Sequence, residues 1–247
     1  MADCFVPDWD VPANVHALQT TRNGGVSMAP WASFNLGDHV GDDPAAVAAN
    51  RATLTARLPA EPSWLTQVHG TVAVDAEKVP KIKNADASFS RQPGHVCVVM
   101  TADCLPVLLC DRQGTVVAAA HAGWRGLLGG VLENTVASMQ VPPGDLLVWL
   151  GPAIGPCCFE VGDEVRQAFV ADDPAASLGF IPGEPGKWLC DIYLLARQRL
   201  GALGVFSVSG GDACTVSDVE QYFSYRRDGV TGRMASLIWL ENGAQGV

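Results

Sequence analysis

The chain has 247 residues, 48% of them hydrophobic and 17% charged, which supports a buried core and excludes a disordered or coiled-coil protein. Its formal net charge of -10 at pH 7 argues against broad binding of nucleic acid or of anionic membranes, since neither attracts a net anion. A local basic pocket remains compatible with that balance.

The eight cysteines have no even, motif-like spacing and include the adjacent Cys157 and Cys158, so they read as reduced thiols of a cytoplasmic protein, not a disulfide framework. The opening MADCFVPDWDVP has acids and prolines where a signal peptide has a basic start and an apolar run. No apolar stretch approaches membrane-spanning length, so the expectation is a soluble, unexported protein.

Residues 15–20 are the first predicted strand, followed by the turn Thr21, Arg22, Asn23, Gly24, Gly25. Arg22 is a candidate ligand contact at the lip of a site; the competing reading is a solvated loop arginine. The polar loop SFNLGDHVGDDP ends in Asp43-Pro44, a helix-start signal, and residues 45–58 have the Ala, Leu and Arg content of a surface helix. Short strands are expected at 63–68 and 71–74, with His69-Gly70 between them, then an exposed connection over 78–84, a segment at 85–89 and a strand at 95–101. After the central stretch, a helix is expected from Gly123 towards Met139, ended by Pro142, Pro143 and Gly144. A buried strand at 146–150, a helix at about 162–171, a helix at 189–203 and strands at 206–208 and 234–240 complete the pattern. Residues 172–187, rich in Pro, Gly and Asp, read as the longest loop and the best place for a lid or a subunit contact. Strands and helices interleave with no internal repeat and no linker, which predicts one α/β domain over 1–247 with mixed sheets.

The stretch Met100 to Gly126, MTADCLPVLLCDRQGTVVAAAHAGWRG, organises the rest. Its two apolar runs, 106–110 and 115–120, flank the turn Asp111-Arg112-Gln113-Gly114. Paired as a hairpin, the start of the first lies beside the end of the second, which brings Cys104 close to His121. A cysteine and a histidine so placed admit three readings: core and turn residues, a thiol nucleophile with its base, or metal ligands that leave one position open. No C-x-x-C, H-E-x-x-H or phosphate-binding P-loop motif is present. Cys97 and Cys110 lie in apolar strands and read as core; Cys157, Cys158 and Cys214 read as packing residues with a pocket role as the alternative.

Seven blocks occur in one order: TTRNGGVS, SFNLGDHVGDD with Asn50-Arg51, TQVHG, TADCLPVLL, AAHAGWRG, GPAIGPCCFEVG and FSYRRDGVTGR. In this the chain resembles the bacterial laccase-domain proteins, also called the polyphenol oxidase or purine nucleoside phosphorylase/adenosine deaminase family, over about residues 20 to 240. The resemblance implies a single layered αββα domain with mixed sheets, similar to toxin-like cysteine hydrolases. It also implies a zinc site at His69, Cys104 and His121, with copper as an alternative metal. The implied reactions are phosphorolysis of adenosine, inosine, guanosine and methylthioadenosine, and hydrolytic deamination of adenosine. On this reading Cys104 and His121 are catalytic, and Asp103 is a candidate proton shuttle or a loop support. Arg125, Arg22 and Arg51 are candidates for phosphate or ribose contacts, with structural salt bridges as the competing role for the last two. The same residues also suit a Cys-His amidase acting on cell-wall precursors. Five histidines, His16, His39, His69, His95 and His121, are few for a multicopper oxidase. Purine nucleosides and phosphate are the expected partners; the sequence leaves the oligomeric state open.

Overall fold

The computed structural model describes residues 3–79 and 84–241. In chain order the elements are β1 (Cys4–Phe5), β2 (Val15–Thr20), α1 (Pro44–Thr55), β3 (Ala73–Asp75), β4 (Ala87–Ser90), β5 (Cys97–Thr101), β6 (Leu105–Asp111) and β7 (Val117–Ala122). There follow α2 (Trp124–Gly129), α3 (Val131–Met139), β8 (Leu146–Leu150), β9 (Glu160–Gly162), α4 (Asp163–Asp172), β10 (Phe180–Pro182) and β11 (Lys187–Cys190). The chain ends with α5 (Ile192–Ala202), β12 (Ser207–Gly210), α6 (Tyr225–Asp228) and β13 (Met234–Leu240).

Two sheets dominate, a four-stranded one ordered β1-β2-β13-β5 and a six-stranded one ordered β12-β8-β6-β7-β4-β3. The larger is mixed, because β12 runs parallel to β8 and β3 parallel to β4 while its centre is antiparallel. Alternation along the strands gives each sheet two apolar faces. Val15, Ala17, Val99 and Ile238 of the smaller sheet meet Leu108, Val117, Ala119 and Trp149 of the larger between them. The outer face of the larger sheet, with Val107, Leu109 and Val148, takes Leu132 and Val136 of α3 and Leu195 and Ala196 of α5. The outer face of the smaller sheet, with Leu18, Val98 and Leu237, takes Leu54 of α1. The result is the αββα layering expected.

Three local expectations are corrected. Residues 63–68 form no strand but two isolated bridges, Ser63 to Cys97 and Thr66 to Asn84. Beside them the Gln67 side chain replaces the missing ladder, accepting from Met100 N at 2.7 Å and donating to Met100 O at 2.8 Å. The helix expected from Gly123 to Met139 breaks into α2 and α3 at Gly130, whose φ of 99° only glycine adopts readily. Residues 172–187 are not a loop: Asp173 caps a 3-10 turn at Pro174–Gly179, and β10 and β11 pair antiparallel with β11 against β9. Of the expected connection over 78–84, Lys78 closes a 3-10 turn at Ala76–Lys78, and residues 80–83 lie outside the described residues. Among the described residues no helix is long and apolar enough to cross a membrane.

Candidate metal centre and cavity

β6 and β7 pair antiparallel with Pro106 opposite His121 and Leu105 opposite Ala122. Cys104, one step before β6, is therefore carried beside Gly123, and a Cβ added to Gly123 would lie 2.9 Å from Cys104 Sγ. His69 arrives from elsewhere, on the turn before β3, with a left-handed φ of 58°. Its Nε2 lies 3.8 Å from Cys104 Sγ, and its ring meets that of His121 edge-on at 4.8 Å. One ligand atom each from His69, Cys104 and His121 falls within 4.8 Å of the others.

Asp86, just before β4, organises both histidines although nothing in the sequence singled it out. Its Oδ1 lies 2.8 Å from His121 Nδ1 and accepts the His69 N–H at 2.9 Å; its Oδ2 accepts from Val68 N at 3.2 Å and Gly70 N at 2.7 Å. Burial alone would raise this fully buried carboxyl, yet the hydrogen bonds from His121 and the turn hold it below the ordinary value. With Nδ1 committed to Asp86, His121 has Nε2 left to turn towards Cys104, the second-shell arrangement common to metal-binding histidines. Burial would likewise raise the Cys104 thiol, but hydrogen bonds to His121 and His69 bring it down to about 6. His121, which burial would lower, is raised to about 9 by Asp86 and Cys104.

The donor set suits a divalent ion. Tetrahedral zinc with imidazole and thiolate ligands separates donor atoms by roughly 3.3–3.6 Å, and the 3.8 Å between His69 Nε2 and Cys104 Sγ is close to that. Gly123 keeps the space clear, since its added Cβ would also approach His69 Cδ2 to 3.1 Å.

The three residues sit on the wall of a cavity of about 560 Å³ that Trp124, Ile154, Phe159 and Ile192 make largely apolar. Its cationic groups are Arg125, Arg226 and Arg233. Arg125 stacks on Trp124 at 4.4 Å, and Arg226 is fixed through its backbone N–H, which donates to Asp103 Oδ2 at 2.6 Å. Burial lowers the Arg233 guanidinium while the Cys104 thiol and Asp103 favour its charge. Asp103 lines the cavity, but both its carboxylate oxygens are engaged, Oδ2 by Arg226 N and Oδ1 by Thr215 Oγ1 at 2.6 Å, and its backbone carbonyl accepts from Ile154 N at 2.9 Å. It joins three wall segments.

Arg22 and Arg51 do not line the cavity. Arg22 donates to the carbonyls of Ala32 and Val219 and lies over Phe223, which ties its loop down. Arg51 donates to Leu36 O, pairs with Asp38 at 3.4 Å and stacks on Trp64 at 4.1 Å. Arg226 and Arg233 take the places those two were expected to fill; their signal was the run YRRDGVTGR, arginines around glycine turns with no assigned partner.

The chain from residue 16 to 241 matches the family model described as multi-copper polyphenol oxidoreductase laccase. The chain belongs to that family. Within this laccase family, a purine nucleoside phosphorylase of Pseudomonas aeruginosa is 60% identical over 96% of this chain and 98% of its own. The purine nucleoside phosphorylase YfiH of Escherichia coli is 56% identical over 97% of this chain and 100% of its own. Among solved structures, a Neisseria meningitidis protein superposes with a TM-score of 0.94 at 53% identity, covering 97% of this chain and 99% of that one. YlmD from Geobacillus stearothermophilus does so with a TM-score of 0.86 at 33% identity, covering 93% of each.

Proposed function

We propose that the chain is a metal-dependent purine nucleoside phosphorylase acting on adenosine, inosine, guanosine and methylthioadenosine, with hydrolytic deamination of adenosine in the same cavity. The observation that carries this is the convergence of His69, Cys104 and His121 on the wall of a cavity that also holds three arginines. The names of two relatives, each more than half identical, point the same way. His69, Cys104 and His121 would hold Zn²⁺, with Cu²⁺ as the alternative metal. When bound, the ion would supply Lewis acidity to the cavity.

The chain's own groups do the rest. Arg125, Arg226 and Arg233 bind and orient phosphate, whose charge they offset inside an apolar wall. Trp124, Ile154 and Phe159 bury the purine and exclude water. Phosphate oxygen bonds to the ribose C1′ as the bond to the purine breaks, and the base leaves with the electron pair. Asp103 acts as a positioning residue, because Thr215 and the Arg226 backbone occupy its oxygens.

Metal analysis joined to an adenosine and inosine assay, with and without phosphate, tests this. Expected are close to one ion per chain, ribose 1-phosphate only when phosphate is present, and loss of both ion and turnover in Cys104→Ala. Equal rates in wild type and that variant would overturn the assignment. The lowered Cys104 thiol, between two imidazoles, favours a second reading as a thiol hydrolase. Alkylation separates them: protection of Cys104 only while metal is bound supports the first, and an acylated Cys104 in chelated protein supports the second.

A further inference from the structure

Residues 155–158 close a tight turn in which Gly155 O accepts from the N–H groups of Cys158 and Phe159, each at 3.0 Å. Cys214 is pressed against that turn. Ala153 and Cys214 form an isolated parallel bridge, and Gly155 N donates to Cys214 Sγ at 3.2 Å. A Cβ added to Gly155 would lie 2.9 Å from Cys214 Cβ and 3.0 Å from its Sγ, so the two segments meet without slack. Ser217 Oγ reaches both sulfurs, at 3.3 Å from Cys214 Sγ and 3.5 Å from Cys158 Sγ, and so lies between the two thiols. Both are half-buried and reachable from solvent, and Cys157 beside them is exposed.

We propose that Cys158 and Cys214 are a reversible redox pair, Cys214 attacking an oxidant of the peroxide class and Cys158 resolving the product to a disulfide. The two thiols differ in the way such a division requires. Burial would raise Cys214, but the Ser217 hydroxyl and the N–H groups of Ser217, Gly155 and Val216 draw it down. For Cys158 the Ser217 bond favours the thiolate, yet burial and the neighbouring Cys214 and Cys157 sulfurs leave it raised.

The Cys214 thiolate attacks one peroxide oxygen, the O–O bond breaks, and the second oxygen leaves as water after taking a proton. The Cys158 sulfur then attacks the resulting sulfenic sulfur. The S–O bond breaks, the S–S bond forms, and the oxygen leaves with the Cys158 proton as a second water. Two thiols lose two electrons in all, and the peroxide gains them.

The bond would staple the 155–158 turn to the segment at Cys214. Those segments lead into Phe159, which lines the cavity, and Thr215, which holds Asp103 and through it Arg226. Oxidation also changes the sulfur that accepts the Gly155 N–H. The pair is thus placed to report oxidant to the cavity wall, whatever reaction the cavity performs.

Hydrogen peroxide treatment of the full chain, followed by intact-mass measurement and peptide mapping without reduction, tests the pair. Expected is a loss of about 2 Da carried by a peptide linking Cys158 to Cys214 and restored by dithiothreitol. In Cys158→Ser, dimedone should label Cys214, and Cys157→Ser should leave the linkage intact. A link that runs through Cys157 would overturn the proposal, as would absence of the Cys158–Cys214 peptide together with no dimedone label in Cys158→Ser.

Discussion

The two histidines of the cluster reach the same sulfur from opposite kinds of scaffold. His121 stands in β7, 3% exposed, with its backbone N–H given to Asp86 O at 2.7 Å and its Nδ1 to the Asp86 carboxylate. His69 is exposed on a turn with positive φ, and the backbone N–H groups of that turn end on the same carboxylate. One ring is fixed by packing and the other is aimed by a turn. Asp86 sets both, so half of the centre is part of the core and half is attached to it.

The comparison breaks most visibly under alanine. His121→Ala would leave the buried Asp86 carboxylate with its three backbone donors but without its imidazole, a broken buried pair that costs about 3 kcal/mol. His69→Ala removes an exposed ring and should cost less than about 1 kcal/mol. Both variants should lose the bound ion. Urea unfolding with metal analysis checks this, and equal midpoints for the two variants would show that the histidines are equally embedded.

A smaller effect lies in the pH dependence of metal-free protein. Cys104 is depressed from 9.0 to about 6 in the fold, so the stability it contributes is complete above 9.0 and is lost as pH falls through about 6. His121 is raised from 6.5 to about 9, so its contribution is complete below 6.5 and is lost as pH rises through about 9. The two slopes, each up to about 1.4 kcal/mol per pH unit, oppose each other across that window. Chelated wild type should therefore be nearly flat there, whereas Cys104→Ser keeps only the part of the falling His121 limb that Asp86 sustains. Thermal melts should show the gap between the two proteins widening as pH rises from about 6.5; a wild type that falls with pH as steeply as Cys104→Ser would mean that the thiolate and imidazolium are not paired.

The same division governs what the sequence discloses. The His121 half follows from local pattern: apolar runs and a turn specify β6 and β7, and pairing then places Cys104 two residues before His121's partner Pro106. β8 and β13 are found with their bounds, Leu146–Leu150 and Met234–Leu240, for the same reason. The His69 half depends on Asp86, whose carboxylate takes the turn 16 to 18 residues before it and His121 35 residues after it, and no short-range periodicity records such contacts. His69 itself was reached through the TQVHG block, not through spacing. Arg226 and Arg233 escaped for a like reason, since their backbone N–H groups are held by Asp103, 123 residues away, and by Asn35, 198 residues away. Arg22 and Arg51 looked equally suitable until the carbonyls that hold them were seen.

The subtlest test asks whether the turn under His69 is strained in order to aim its ring. A side chain at φ 58° crowds the backbone, and glycine does not. His69→Gly should therefore be more stable than His69→Ala by about 1 kcal/mol, although both lack the ligand. At neighbouring Val68, exposed and without positive φ, the order should invert, because glycine there only adds freedom to the unfolded chain. Paired urea melts of the four variants measure the sign directly. If glycine is the weaker choice at both positions, the turn holds no strain. His69 would then be a passive surface residue, and the aiming would have to come from the ion itself.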